Sequence, residues 1–152
     1  MNADYPLTLF YDANCAVCAL EMDHLRSRND AGKLRFVDIA APGFDSSPPG
    51  VTLAQLDAEI HAVRPDGSVL RGVEVLRLAY AAVGLGWVMR PTAWGPLKPL
   101  ADVGYRLFAR HRRRISRAAA PLIDAIRTAR AREVEKRMRE CSGGACELPR
   151  RR

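Results

Sequence analysis

The apolar positions in the first third of the chain follow a strand, helix and strand pattern. Leu7–Tyr11 is a short apolar run rich in strand-forming residues, which predicts a buried strand. From Cys15 to about Arg28 the chain lacks proline and glycine, and apolar residues recur at i, i+4 and i+7, which predicts a helix. Leu34–Ile39 predicts a second strand. Three such elements within about 33 residues indicate a right-handed βαβ unit with parallel strands.

The middle of the chain predicts a short helix, a hairpin and a longer helix. Thr52 is a suitable N-cap for a helix that ends near Asp57. Residues 64–67, Arg-Pro-Asp-Gly, predict a tight turn between two strands, because proline presets φ and glycine accepts φ > 0. The apolar stripe within Gly72–Gly84 predicts the longer helix. The whole order indicates an α/β domain with a mixed β-sheet flanked by helices.

Beyond Gly86 the pattern changes. Prolines punctuate residues 87–99, which predicts an irregular segment whose two tryptophans, Trp87 and Trp94, pack against the domain. Residues 100–118 predict a very basic helix, and a last helix is expected from Pro121 to about residue 140. A Ser-Gly-Gly sequence then predicts a flexible tail. We therefore divide the chain into a compact domain at residues 1–86, a Pro/Trp segment and basic helical extension packed on it at residues 87–140, and a Cys-containing tail at residues 141–152.

The two halves of the 152-residue chain carry opposite net charge. Residues 1–75 hold 11 acidic and 6 basic side chains, a net of −5, whereas residues 76–152 hold 6 acidic and 18 basic ones, a net of +12. The basic half could contact nucleic acid or an anionic surface. Arginines spread around a helix more often form a solvated face, so such a partner is not favoured.

Nothing in the sequence indicates a membrane span or an export signal. No apolar run reaches the roughly 18 uncharged residues of a transmembrane helix. The first residues lack a basic region followed by an apolar one, which is the pattern of a secretory signal. We therefore expect a cytoplasmic protein, in which cysteines are more often reactive or metal-bound than structural.

Cys15 and Cys18 are the strongest chemical signal in the sequence. A Cys-x-x-Cys pair that follows a strand and opens a helix in a βαβ pattern is typical of a thioredoxin-like redox site. The dipole of the helix is expected to lower the pKa of Cys15, which would lie at the exposed helix tip as the attacking thiolate. Cys18 shares an apolar stripe with Met22 and Leu25, so it is expected to be buried and to resolve the mixed disulfide. The pair predicts a thiol-disulfide oxidoreductase that acts on protein or small-molecule thiols and disulfides, with no cofactor besides the two cysteines.

The residues around the pair resemble a known family. Tyr11 to Cys18, with Glu21 and Leu25, are similar to the thiol-disulfide oxidoreductase DCC family, which is named for its Asp-x-x-Cys-x-x-Cys motif. The Pro-Asp-Gly turn at residues 65–67 and Gly72 also resemble the pattern of that family, and the likeness covers roughly residues 5–110. The resemblance implies thiol–disulfide exchange and a thioredoxin-like fold. We accordingly expect a thioredoxin-like mixed β-sheet flanked by helices, with a basic C-terminal helical extension.

Asp12 has two interpretations that the sequence leaves open. In the functional one, its carboxylate accepts the proton of Cys18 during resolution, or raises the pKa of a neighbouring thiol through its charge. In the structural one, Asp12 caps the following helix, and Asn14 is the competing cap. Asp12 is therefore a candidate catalytic residue beside Cys15 and Cys18.

Metal binding is the main alternative to redox chemistry. Thioredoxins carry a cis-proline before the first hairpin strand, and its absence from residues 56–61 should leave the cysteines more open to a metal or a cluster. Zinc would need Cys141 and Cys146 from the tail as further ligands at an unusual spacing, so no metal is assigned. The same two residues could form a redox relay with Cys15, or be incidental thiols. The second functional hypothesis is a non-catalytic module that binds a metal or an anionic partner.

Overall fold

The structure, a computed structural model, describes residues 4–141 as a four-stranded mixed sheet flanked by helices. The predicted α/β, thioredoxin-like fold class is confirmed. The predicted strands, the hairpin and the first three helices are all present, with small differences at their ends. In chain order the elements are β1 (Leu7–Tyr11), α1 (Ala16–Arg26), β2 (Leu34–Asp38), α2 (Leu53–Ala58), β3 (His61–Val63), β4 (Val69–Arg71), α3 (Val73–Ala82), α4 (Gly86–Ala93) and α5 (Lys98–Cys141).

β1 lies inside the sheet, whose strand order is β2-β1-β3-β4. It pairs in parallel with β2, with Leu7 opposite Leu34, and antiparallel with β3, with Phe10 opposite His61. The parallel pair is connected by α1, as the βαβ pattern predicts. β3 and β4 form the expected antiparallel hairpin. The end of β1, which carries the Cys-x-x-Cys motif, is therefore supported by strands on both sides.

The two faces of β1 bury different residues because side chains alternate along a strand. Leu7, Leu9 and Tyr11 share one buried cluster with residues of α1 and α3. Phe10 points the other way and packs with Leu56 of α2. Helices thus cover both faces of the sheet, and α1 is anchored to the strand that leads into it.

The segment after Gly84 is helical where the sequence predicted an irregular chain. α4 contains Pro91, which lacks a backbone N–H and usually ends a helix. Arg77 of α3 donates hydrogen bonds to the hydroxyl and to the carbonyl oxygen of Thr92, and the Thr92 hydroxyl donates to the carbonyl of Met89 at 2.6 Å. These side-chain bonds hold the end of α4, and a sequence pattern does not contain them.

α5 is one continuous helix, although the sequence predicted two separate helices. Pro121 lies inside it and cannot donate the usual backbone hydrogen bond. Ser116 and Ile123, which flank Pro121, are both buried, and α5 packs extensively against α1. Packing against the domain therefore offsets the hydrogen bond that Pro121 removes.

Trp87 and Trp94 also differ from the prediction. Both were expected to pack against the domain, but 68% of Trp87 and 65% of Trp94 is exposed to solvent. Trp87 lies in the first turn of α4, and Trp94 directly follows the end of that helix. No element in the described part of the chain covers either ring.

Gly72 connects β4 to α3 in a conformation that only glycine adopts readily, with φ 69° and ψ −144°. A Cβ atom there would lie 3.3 Å from Glu59 Oε2 and 3.7 Å from the Tyr105 ring. We therefore expect Gly72→Ala to lower the free energy of unfolding by about 1–3 kcal/mol. Gly104→Ala is the matched control, because Gly104 lies in α5 with open space around it. This substitution should raise the free energy of unfolding by up to about 1 kcal/mol. Urea denaturation measures both, and equal stability of the two variants would contradict the strained turn.

Candidate active site

Cys15 and Cys18 form a disulfide where β1 leads into α1. Cys15 is the N-cap of α1 and Cys18 lies in its first turn, and their Cα atoms are 5.2 Å apart. This separation is usual for a disulfide. The two residues come this close because one helical turn brings both side chains to the same side. The predicted pair is therefore assembled by the local fold alone.

The loop before α1 is held by hydrogen bonds to two aspartates. Asp38, at the end of β2, accepts the N–H of Ala13 at 3.0 Å. Asp12 accepts the N–H of Asn14 on its carboxylate at 2.9 Å and the N–H of Cys15 on its carbonyl at 3.2 Å. These bonds fix the backbone that presents Cys15.

The first turn of α1 is capped by a sulfur and by a serine from α5. The N–H of Cys18 donates to Cys15 Sγ at 3.3 Å, and the N–H of Ala16 donates to Ser116 Oγ at 2.5 Å. The prediction that Asp12 or Asn14 caps this helix is therefore wrong, because Cys15 occupies the capping position. The N–H of Cys18 thus points at the sulfur on which a Cys15 thiolate would form.

Asp12 is buried beside the cysteine pair and forms an ion pair with α5. Its Oδ2 lies 3.5 Å from Arg112 Nη2, and both side chains are almost fully buried. The same Arg112 nitrogen donates to the carboxylate of Asp57 at 2.9 Å and also to the Asp57 carbonyl. Arg113 donates to both carboxylate oxygens of Asp57. This Arg112 cluster, made of Asp12, Asp57, Arg112 and Arg113, joins α5 to the motif loop and to α2.

The exposure of the two cysteines is opposite to the prediction. Cys15, expected at an exposed tip, is only 1% exposed, whereas Cys18, expected to be buried, is partly exposed. Ser116 and Arg112 attach α5 to Ala16 and Asp12, on either side of Cys15 in the sequence, so α5 lies against the loop that carries it. The expectation that the missing cis-proline leaves the cysteines open is therefore wrong for Cys15, whereas Cys18 is partly exposed.

Tyr105 attaches α5 to the start of β3. Its hydroxyl accepts the N–H of Ile60 at 2.9 Å. Burial raises the pKa of Tyr105 to about 12, and the charge of Glu59 acts in the same direction. The phenol therefore stays protonated at neutral pH and this contact persists there.

A polar groove of about 910 Å³ lies between α5 and the segment that runs from the end of α2 to α3. Seven cationic and four anionic side chains line it. Among the described residues, Lys98, Arg106 and Arg110 line the groove without a carboxylate within ion-pair distance. Asp57 and Arg112 line this groove, and Arg112 also pairs with Asp12, so the groove and the motif loop share one residue; the cysteines themselves do not line it.

The metal and relay hypotheses depend on residues beyond this site. Within residues 4–141, no group of three His, Cys, Asp or Glu side chains is arranged to hold a metal ion. Cys146 and the side chain of Cys141 lie outside the described residues. Their roles as zinc ligands or as a redox relay therefore stay predictions.

Sequence reasoning missed the contribution of α5 to the site. Arg112 and Ser116 contact Asp12 and Ala16, each 100 residues earlier in the chain. The only signal in the sequence was that a serine and several arginines share one basic helix, which also describes a solvated face. These contacts required the three-dimensional path of α5.

Comparisons with known proteins agree with the geometry of the cysteine site. The family model of DCC1-like thiol-disulfide oxidoreductases matches residues 9–118, which include β1, the cysteine pair and the first part of α5. A chloroplastic protein of Arabidopsis thaliana, described as uncharacterized, is 37% identical over 132 residues; the match covers 86% of this chain and 61% of the relative. No solved structure matches the chain significantly. The match over well more than half of its length shows that the chain belongs to the DCC1-like thiol-disulfide oxidoreductase family.

Proposed function

We propose that this chain catalyses thiol–disulfide exchange at Cys15 and Cys18 with thiols and disulfides of proteins or small molecules. The observation that supports this most is the bonded pair at the junction of β1 and α1. Membership in the family supports the same redox chemistry in general terms. The pair itself holds the two electrons that are exchanged, so the proposal needs no further cofactor.

The exchange proceeds through a mixed disulfide. In the reduced protein, the Cys15 thiolate attacks a substrate disulfide, forms a Cys15–substrate bond and releases one substrate thiolate. Cys18 then loses its proton, and its thiolate attacks Cys15 Sγ and releases the second substrate thiolate. The substrate gains two electrons and the Cys15–Cys18 disulfide closes. The same steps in reverse oxidise a substrate dithiol.

The electrostatics of α1 favour Cys15 as the attacking thiolate. The N–H of Cys18 points at Cys15 Sγ, and the helix dipole places partial positive charge at the same end. Both stabilise a negative charge on that sulfur more than on Cys18, which lies inside the first turn. Cys18 is left with the resolving role.

The burial of Cys15 implies that α5 must move before the attack. A substrate sulfur has to approach within bonding distance of Cys15, which is 1% exposed, and α5 bonds to the neighbouring Ala16 through Ser116. We propose that α5 separates from the motif at Arg112 and Ser116 when substrate binds. A carboxylate released from Arg112 would then be available to accept the proton of Cys18, which is the role proposed for Asp12.

The positively charged groove supports substrates that carry anionic groups. Asp57 and Arg112 are among its lining residues, Arg112 also pairs with Asp12, and three of its cations have no carboxylate partner among the described residues. An anionic peptide or small thiol in this groove would lie close to the cysteine site. This substrate preference remains part of the proposal.

A non-catalytic metal-binding module is the alternative, and one experiment separates the two. The chain is purified without chelator and its metal content is measured. The rate at which a small thiol reduces a protein disulfide is then followed with and without the chain. Exchange requires turnover above the uncatalysed rate with no stoichiometric metal. Stoichiometric zinc, with turnover no faster than uncatalysed, would favour the module instead.

The tail cysteines are expected to be dispensable for exchange. α5 runs unbroken from Ser116, at the motif, to Cys141, which corresponds to about 37 Å of helix. Five further residues reach at most about 17 Å when fully extended, so Cys146 cannot approach Cys15 while α5 is intact.

Cys141→Ser with Cys146→Ser should therefore leave turnover within about twofold of the unchanged protein, with both a small thiol and a protein donor. A selective loss of turnover with the protein donor would restore the relay hypothesis. The assay follows initial rates with each donor at matched concentrations.

We also propose that the protein acts in the cytoplasm. The reducing thiols of that compartment would return the Cys15–Cys18 disulfide to its dithiol form between turnovers.

A further inference from the structure

We propose that the outward surface of α4 and of the first part of α5 binds to an anionic lipid bilayer. This proposal does not depend on the exchange chemistry. We call the region the outer surface, and it consists of the apolar residues Trp87, Trp94, Leu100, Val103 and Leu107 with the basic residues Arg90, Arg106, Arg110 and Arg114, of which Arg106 and Arg110 also border the groove.

The apolar part of the outer surface is unusually exposed. Trp87 and Trp94 are both about two-thirds exposed, and Leu100, Val103 and Leu107 are each more than half exposed. The last three recur at i, i+3 and i+7 of α5, so they share one face of that helix. Arg112 and Ser116 of the same helix are buried against the domain, and helical spacing puts them on the opposite side.

Hydrogen bonds join the tryptophan segment to α5. The carbonyl of Trp94 accepts the N–H groups of Leu97 and Lys98, at 2.9 and 2.8 Å, so Trp94 lies one turn before α5 begins. Trp87 lies two helical turns earlier on α4. The exposed apolar residues therefore follow each other along a continuous stretch of ordered backbone.

The charge of the outer surface selects the kind of partner. Between residues 86 and 123 the only acidic residue is Asp102, and it is 3.8 Å from Arg77 of α3. The basic residues of the outer surface have no carboxylate within ion-pair distance in the described part of the chain. The exposed charges here are thus uniformly positive, which disfavours pairing of this surface with the same surface of a second copy and favours an anionic partner.

A bilayer matches this combination of residues better than an acidic protein or a nucleic acid. Tryptophan prefers the boundary between headgroups and acyl chains, leucine and valine enter the apolar side, and arginine reaches back to anionic headgroups. The apolar residues lie on α4, on α5 and in the turn between them, and none of them lines the groove. No described helix is long and apolar enough to cross a membrane, so the contact would lie along the bilayer surface.

Intrinsic fluorescence tests this directly, because Trp87 and Trp94 are the two tryptophans of the chain. The full-length protein is mixed with vesicles of phosphatidylcholine alone, or of phosphatidylcholine with phosphatidylserine. We expect a blue shift of the emission and quenching by brominated acyl chains only with phosphatidylserine, and reversal of both by salt. Vesicle binding without a shift, or no binding at all, would overturn the proposal.

Vesicle flotation of variants separates the contributions of the two residue types. Trp87→Ala with Trp94→Ala, and Arg106→Gln with Arg114→Gln, should each weaken binding by at least about tenfold. The matched charge control, Arg28→Gln with Arg35→Gln, removes two exposed arginines far from the outer surface in sequence and should change binding less. Equal loss in the control, or tighter binding to an RNA oligonucleotide than to vesicles, would also overturn the proposal. Thermal melts establish that each variant is folded.

Discussion

Replacing Cys15 by serine is expected to reduce thiol–disulfide exchange to the uncatalysed rate. Without Cys15 the chain loses the sulfur that the N–H of Cys18 and the α1 dipole stabilise as a thiolate. Cys18→Ser should also abolish turnover, but for a different reason: the first attack still occurs, and the mixed disulfide on Cys15 is no longer resolved. The two variants therefore differ in what accumulates.

Mass spectrometry of trapped adducts distinguishes these outcomes. Reduced Cys18→Ser, incubated with cell extract, should accumulate disulfide-linked partners through Cys15, while reduced Cys15→Ser should accumulate far fewer. The reverse pattern would make Cys18, the more exposed residue in the structure, the attacking thiol. Serine replacement at Cys141 and Cys146 is the matched control and should leave trapping unchanged.

Arg112→Ala is expected to expose Cys15. Removing one partner of a buried ion pair costs about 3–5 kcal/mol, because Asp12 then stays buried without its cation. If this free energy is lost from the packing of α5 against the motif, the population of the separated state rises by about 10²-fold or more. We therefore expect the alkylation rate of Cys15 in the reduced protein to rise at least about tenfold, with less change at Cys18, which is already partly exposed.

Ser116→Ala tests the same cover with a smaller perturbation. It removes the acceptor of the Ala16 N–H, which costs about 1 kcal/mol and should raise Cys15 alkylation by about fivefold. Arg114→Ala is the control, because Arg114 is an exposed arginine on the same helix outside the Arg112 cluster. Unchanged labelling of Cys15 in two folded variants, Arg112→Ala and Ser116→Ala, would show that α5 does not limit access. Urea denaturation reports whether each variant is folded.

The elements that the sequence predicts well are those that local interactions specify. β1, α1 and β2 follow from the alternation of short apolar runs and a proline-free amphipathic stretch. The hairpin follows from the Arg-Pro-Asp-Gly turn at residues 64–67. The cysteine pair is predictable for the same reason, because Cys15 and Cys18 need only one helical turn to meet.

The features that the sequence does not predict depend on distant contacts. α4 continues through Pro91 because Arg77, from another helix, bonds to Thr92, and α5 continues through Pro121 because its flanking residues are buried against the domain. The contact of α5 with the start of α1 is made by Ser116, which is 100 residues from its partner Ala16. Trp87 is a large apolar residue, and such residues are normally buried to a large extent. Only the path of the chain shows that no element among the described residues covers its ring.

The reduction potential of the Cys15–Cys18 pair is the measurement that tests the central claim most directly. The protein is equilibrated in thiol–disulfide buffers of graded potential, and intact mass after alkylation gives the fraction of oxidised pair. We expect a reversible two-electron transition with a midpoint between roughly −120 and −300 mV, the span of known exchange proteins. A pair that stays reduced, or stays oxidised, at every potential across that span would contradict redox function at Cys15 and Cys18.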